Sequence, residues 1–263
     1  ITRAEVATIV YRIYQLSSLD QKQKIHYKDY TLDVLEGVPT NAYNQSAFVK
    51  NGSIMTYNDP NVRTRVGIDV SQYQGDVDWE SVARTEVDFV IARVGGRGYT
   101  AGAIYEDTKF DEYADGADRA GLQVGAYFFS QAISVAEAEE EAYFVLDKLR
   151  GHNITGPVVF DWEVIGKSEA RTYGIETGVL CAAANAFCEI IEDAGYDAMI
   201  YITDYAGYVK YDLSKVMDYP LWYARYDVSA PTFYYDFAMW QYSSKGSVDG
   251  IKGNVDMDIW FIK

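Results

Sequence analysis

Two acids, Asp161 and Glu163, interrupt the otherwise apolar run PVVFDWEVI between Pro157 and Ile165. An unpaired carboxylate is expensive to bury, so two of them in a segment of core composition point to chemistry. Side chains alternate faces along a strand, which puts Val159, Asp161 and Glu163 on one face and Val158, Phe160, Trp162 and Val164 on the other. Two other runs carry acids in the same way. VGIDVSQ holds Asp69, and VDMDIWF holds Asp256, Asp258 and Trp260 on one face with Val255, Met257, Ile259 and Phe261 on the other. Crowded carboxylates repel one another and lose solvent, so one keeps its proton while another stays ionised. A protonated and an ionised carboxyl held side by side is the arrangement that hydrolyses glycosidic bonds. Spacing along the strand leaves the carboxyl separation open, and with it the stereochemical outcome. The competing explanation is structural: Arg93, read as an outward strand residue, and Arg97, read as a loop residue, both in RVGGRGY, would neutralise an acid.

Those acids need strands to carry them, and the chain supplies eight candidates from Val66 onward: VGIDVSQ, DFVIARV, QVGAYFF, PVVFDWEV, DAMIYIT, PLWYARY, FAMWQYS and VDMDIWF. Helical patterns (WESVART, KFDEYADGADRAG, VAEAEEEAYFVLDKLRG and VLCAAANAFCEIIEDAG) separate the first five. The third helix is bounded by Ser134 with Glu137 as a capping box and by Gly151 as a stop. Alternating strands and helices imply parallel strands, and eight of them predict an α/β, TIM-like barrel whose active site lies at the C-terminal strand ends. In such a barrel the eighth strand pairs with the first, so acids from strands one, four and eight converge. Beyond Tyr226 the links lack helical periodicity, and a parallel crossover normally needs a helix. The last strands are therefore expected without covering helices, some of them antiparallel. Tyr127, Tyr201, Trp222, Tyr226, Trp240 and Tyr242 fall on strands near the acid-bearing end, where they can stack on sugar rings or donate hydrogen bonds. Tyr127 and Trp240 are the first candidates.

Composition narrows the function classes. The net charge of -16 disfavours nucleic acid, whose phosphates need clustered Lys and Arg. No apolar stretch is long enough for a membrane span. The chain starts at Ile1 and not at Met, so an export signal is either removed or left out of this sequence; an extracellular or wall-associated location is the expectation. Cys181 and Cys188 lie on one helix with Cα atoms roughly 10 Å apart at 1.5 Å per residue, too far for a disulfide, and are read as buried thiols. His26 and His152 are distant in sequence from each other and from the acidic motifs, so neither zinc nor a Ser-His-Asp triad is expected. No metal or cofactor is expected.

Residues 1–65 read differently from the rest. Val6, Ile9, Val10, Ile13 and Leu16 have helical spacing, and a polar, irregular stretch follows through NGSIMTYNDPNVRTR. The expected organisation is a small N-terminal helical appendage with a linker over 1–65 and a barrel over 66–263.

Taken together, GIDVSQYQGDVDW, FVIARVGGRGY, AGLQVGAYFFSQA, VVFDWE and GNVDMDIWF resemble glycoside hydrolase family 25, the muramidases. The resemblance spans residues 66–263. It implies five β/α units followed by three bare strands, and cleavage of the β-1,4 bond between N-acetylmuramic acid and N-acetylglucosamine in peptidoglycan. It further implies Glu163 as acid/base, Asp161 as its partner, and Asp69 and Asp256 as supporting acids. The choice of Asp256 over Asp258 rests on the resemblance alone. A substrate-assisted route with net retention goes with the family. The segment ITRAEVATIVYRIYQL resembles part of an S-layer homology module, implying attachment to a secondary cell-wall polymer. Three alternatives stand beside this. A family 18-like chitinase has a similar acidic fourth strand, but with a further Asp where this chain has Val159. A catalytically inactive wall-binding protein would use the same groove, and a metal-dependent barrel enzyme would be sensitive to chelators.

Overall fold

The computed structural model describes Val6 and residues 23–262, in two compact units, Ile1–Gly37 and Val38–Lys263. Apart from Val6, which is helical, the helix expected over residues 1–16 lies outside the described residues. In the first unit, β1 (Lys24–Tyr27) and β2 (Tyr30–Asp33) form an antiparallel hairpin. Its turn passes through Lys28 at φ 49°, and Lys24 pairs with Asp33 across it at 2.5 Å.

The second unit contains a closed barrel. Its strands are β5 (Arg63–Val70), β6 (Phe89–Arg97), β8 (Gln123–Ser130), β9 (Val158–Trp162), β10 (Ala198–Thr203), β11 (Leu221–Ala224), β12 (Met239–Gly246) and β13 (Val255–Ile262). They follow the order β5-β6-β8-β9-β10-β11-β12-β13, and β13 pairs back onto β5. All neighbours are parallel except β13, which runs antiparallel to both β12 and β5. A short β7 (Ile104–Glu106), absent from the sequence reading, folds back on β6. Four helices, α1 (Trp79–Val82), α2 (Phe110–Arg119), α3 (Val135–Leu149) and α4 (Thr177–Asp193), connect the first five barrel strands. A π-helical turn, Ala206–Lys210, follows β10.

Half of the expected capping box places α3: the Ser134 side chain accepts the Glu137 N–H at 3.3 Å, whereas the Glu137 carboxylate accepts from the Ile133 N–H at 2.9 Å instead of from Ser134, and Gly151 takes φ 91° beyond the last turn. Arg97 ends strand β6 and does not sit in a loop. Its guanidinium donates to Glu141 at 2.6 Å and to Glu140 at 2.7 Å, tying β6 to α3. Cys181 and Cys188 are buried free thiols. His152 has two acids beside it that are distant in sequence, Asp115 at 2.6 Å and Asp111 at 3.2 Å, both on α2. No helix among the described residues is long and apolar enough to cross a membrane.

Residues 38–62 correct the irregular linker. Asn51 and Gly52, with Gly52 at φ 59°, turn a hairpin of β3 (Phe48–Asn51) and β4 (Ile54–Tyr57). Phe48 meets Trp240 edge-on at 5.3 Å, Tyr43 stacks on Phe261 at 4.1 Å, and the Tyr242 hydroxyl donates to the Ser53 carbonyl at 3.1 Å. The physical reason lies in the missing late helices. Outward aromatic side chains on β12 and β13 need cover, and the segment before the barrel supplies it, so the compact unit begins at Val38 and not at residue 66.

The barrel interior is filled by Phe89, Ile91, Val159, Met199, Trp222 and Met239 among others. Gly67 makes room for the Phe89 ring, which a Cβ at that position would overlap. With this plug filling the interior, a ligand is left the mouth.

Candidate active site

The acids converge at one mouth because strand direction and register put them there. Asp69 is the penultimate residue of β5, Asp161 the penultimate residue of β9, and Glu163 follows β9 directly. Since β13 is antiparallel, its first residues lie at the C-terminal ends of the others, and Asp256 stands opposite Asp69 in register. The face assignment for β9 holds. Val159 lies in the interior, while Phe160 and Trp162 point outward, meeting Phe187 of α4 at 5.2 Å and Tyr211 at 6.4 Å.

Asp69, Asp161 and Asp258 are buried at 6%, 5% and 0% exposure, and Glu163 and Asp256 are partly open. Gln241 organises one side of the site. Its amide donates to Asp69 Oδ2 at 2.6 Å, and its carbonyl oxygen accepts the hydroxyls of Tyr201 at 2.8 Å and Tyr226 at 2.5 Å. The Trp222 indole N–H donates to Asp258 Oδ1 at 2.8 Å. Two buried carboxyl oxygens, Asp161 Oδ1 and Asp258 Oδ2, have no hydrogen-bond partner. No side chain among the described residues hydrogen-bonds the Glu163 carboxyl, whose backbone carbonyl accepts from Gln131 at 2.9 Å.

Arg93 corrects the sequence reading. It shares the inward face of β6 with Ile91, and its Nε donates to Asp107 at 2.7 Å. Its charge therefore acts on Asp161 from the site side without forming an ion pair to it.

The electrostatics follow from burial and like charge. Burial pushes Asp69 well above the usual carboxylate range, and Asp256 and Asp258 push it further against the pull of Gln241. Asp161 is raised by burial and by Glu163, with Arg93 opposing. Glu163 is raised by burial and then by Asp256. Burial lifts Asp256 to about 6. Asp258 is raised well above its usual value by burial, against the Trp222 hydrogen bond. Such a cluster holds protons near neutrality and can deliver one to a leaving group.

The aromatic candidates divide. Tyr201 and Trp222 are interior, edge-on at 5.0 Å, and hold Gln241 and Asp258 from within the barrel. Tyr127 packs beside Trp222 at 6.3 Å and stays partly open. Tyr226 is 36% exposed at the rim. Trp240, by contrast, is fully buried on the outer face. It lies under Phe48, and its indole N–H donates to the Arg225 carbonyl at 3.0 Å. Alternation along β12 explains the correction: Met239 and Gln241 face inward, so Trp240 and Tyr242 face out. Gln241, between Trp240 and Tyr242 on β12, takes the inward phase of the strand.

A barrel whose first, fourth and last strands bring carboxyls to one mouth has the architecture of a barrel glycosidase. Residues 68–251 match the model of glycosyl hydrolases family 25, and the chain belongs to that family. It is 31% identical over 193 residues to the autolytic lysozyme of Clostridium acetobutylicum, covering 73% of this chain and 54% of that protein. It is 31% identical over 201 residues to lysozyme M1 of Streptomyces globisporus, covering 72% of this chain and 65% of that one. The chain thus spans roughly half to two thirds of these relatives. The crystal structure of a bacterial lysozyme from Streptomyces coelicolor superposes with a TM-score of 0.60 at 27% identity, covering 74% of this chain and 90% of that one.

Proposed function

We propose that the chain is a peptidoglycan muramidase that hydrolyses the β-1,4 bond between N-acetylmuramic acid and N-acetylglucosamine. The observation that carries this reading is the pair Asp161 and Glu163: two residues apart at the end of β9, both raised, with no cation among the described residues paired to either. Family membership and the lysozymes among the relatives support the substrate class. The chitinase alternative loses support at Val159, which is packed into the interior where that motif has an acid.

In this mechanism Glu163 donates its proton to the glycosidic oxygen as the bond to the anomeric carbon breaks. The acetamido oxygen of the substrate attacks that carbon from the opposite face, and Asp161 stabilises the positively charged ring that forms. Glu163 then removes a proton from the water that opens the ring, giving net retention. Asp256 helps keep Glu163 protonated, and Asp69 orients the sugar with Gln241. Tyr127 and Tyr226, partly open at the mouth, serve as the sugar-contacting aromatics.

The reading places the protein outside the cell or on its wall. The S-layer-like segment at residues 1–16 fits attachment to a secondary wall polymer, with the unit Ile1–Gly37 serving as appendage and the barrel unit as catalytic domain. The experiment is mass spectrometry of fragments released from purified walls. Muropeptides ending in reducing N-acetylmuramic acid are expected. Fragments ending in reducing N-acetylglucosamine, or release of no fragments at all, would overturn the proposal.

A further inference from the structure

A second cavity opens beside the acids. It measures about 450 Å³, within the usual ~300–1,000 Å³ of ligand clefts, and lies between the loop that follows Glu163 and the π-helical turn after β10. Val164, Ile165, Lys167 and Tyr173 line it from the loop, and Tyr205 and Lys210 from the turn. Its lining includes two lysines and no Asp or Glu, in a protein of net charge -16 and next to a mouth that holds five carboxyls. Among the described residues neither lysine pairs with an acid: Lys167 Nζ sits 5.2 Å from the centre of the Tyr99 ring and 3.4 Å from its hydroxyl. The loop is anchored from behind. Thr172 donates to Gln131 at 2.9 Å, Arg171 pairs with Glu137 at 2.6 Å, and Gln131 donates to the Glu163 carbonyl at 2.9 Å. Gln131 thus connects the cavity wall to the backbone of the proposed acid.

Cations set beside exposed apolar and aromatic surface suit a ligand that is an anion with small aliphatic parts. The substrate of the proposed reaction carries one: the peptide stem on the lactyl group of muramic acid, with its free carboxylates and alanine methyls. We infer that this cavity is a subsite for the carboxylate-bearing peptide stem, with Lys167 and Lys210 as its cationic contacts. The inference rests on the muramidase reading and deepens it. The acidic mouth repels an anionic stem, so a separate cationic pocket lets one substrate present a neutral glycan to the acids and its charges elsewhere. The loop continues directly from Glu163, so occupancy of the pocket bears on the register of the glycan across the mouth.

The test compares the full chain on two substrates: glycan strands with peptide stems, and the same strands after an amidase has removed them. Cleavage of both is expected, with higher kcat/KM on the stem-bearing strands. Lys167→Gln and Lys210→Gln are each expected to lower kcat/KM on stem-bearing strands about 3- to 5-fold, as for partly exposed charge pairs, and to leave the stripped strands unchanged. The double charge reversal to Glu should abolish the preference, and salt should weaken the wild-type preference. Equal cleavage of both substrates by the wild type overturns the subsite while the muramidase reading stands. Variants that slow both substrates alike also overturn it. Failure to cleave either substrate removes the muramidase reading and the subsite with it.

Discussion

Asp69 and Asp256 stand directly opposite one another in the antiparallel pairing of β5 with β13. Like charges in direct cross-strand register are destabilising, and no cation among the described residues is interposed. Gln241 contacts Asp69 with an amide, which aligns the carboxylate without neutralising it. The barrel thus closes through a repulsive pair at the place where its chemistry is proposed to occur.

That repulsion sets a pH response. Burial raises Glu163 and Asp256 raises it further, and a general acid works only below its own pKa, so the alkaline limb of the kcat/KM profile should lie above the ordinary glutamate range. Asp256→Asn removes the like charge, lowers the Glu163 pKa and should move that limb to lower pH. A limb that stays in place, or moves to higher pH, would separate Asp256 from proton control. The measurement is a wall-lysis profile across pH 4 to 8, roughly the range that separates an unperturbed from a raised carboxyl.

Glu163→Gln and Asp161→Asn should each reduce turnover by about 10²-fold or more, as for loss of a general acid or its charged partner. Circular dichroism and the melting temperature should show both variants folded, because neither side chain makes a hydrogen bond or ion pair that the fold needs. Wild-type lysis rates in both variants would reassign the chemistry.

Asp258→Asn tests whether the most buried acid works as a neutral group. Its folded pKa is raised well above the ordinary value, so the native state binds more protons than the unfolded chain, and stability falls as pH rises through the window above 3.8. Asn keeps an acceptor for Trp222 but has no proton to lose. Thermal unfolding should therefore show a small difference from wild type at pH 4, with the variant gaining relative stability toward pH 8, and activity should be largely kept. Loss of activity with an unchanged stability profile would mean that the ionised form of Asp258 is needed.

Trp240→Phe separates core from subsite. The Phe ring keeps most of the contact with Phe48 and loses the hydrogen bond to the Arg225 carbonyl. The expected cost is about 1–2 kcal/mol of stability, with KM for wall fragments unchanged. A raised KM at unchanged stability would restore Trp240 to the sugar site.

Much of the site was legible because a strand's period of two is unambiguous when a polar residue interrupts an apolar run. Alternation alone assigns Asp161 in β9, Glu163 directly after it, and Asp256 and Asp258 in β13 to their faces, and the barrel follows from alternating strand and helix patterns. Trp240 was misjudged because aromatic residues suit either face of a strand, and only the inward Gln241 beside it reveals the phase. Residues 38–62 were read as a linker because their strands are four residues long and half polar, although Asn51-Gly52 is a hairpin signal.

By itself the sequence determined which acids exist, which share a strand face and which strands must close, because these depend on local periodicity and order. Only the tertiary structure decided that Asp256 opposes Asp69, that Gln241 joins Asp69 to Tyr201 and Tyr226, and that Arg93 turns toward the site while committed to Asp107. Those relationships join residues as much as 187 positions apart along the chain. Barrel closure sets their distances, and no local pattern encodes it.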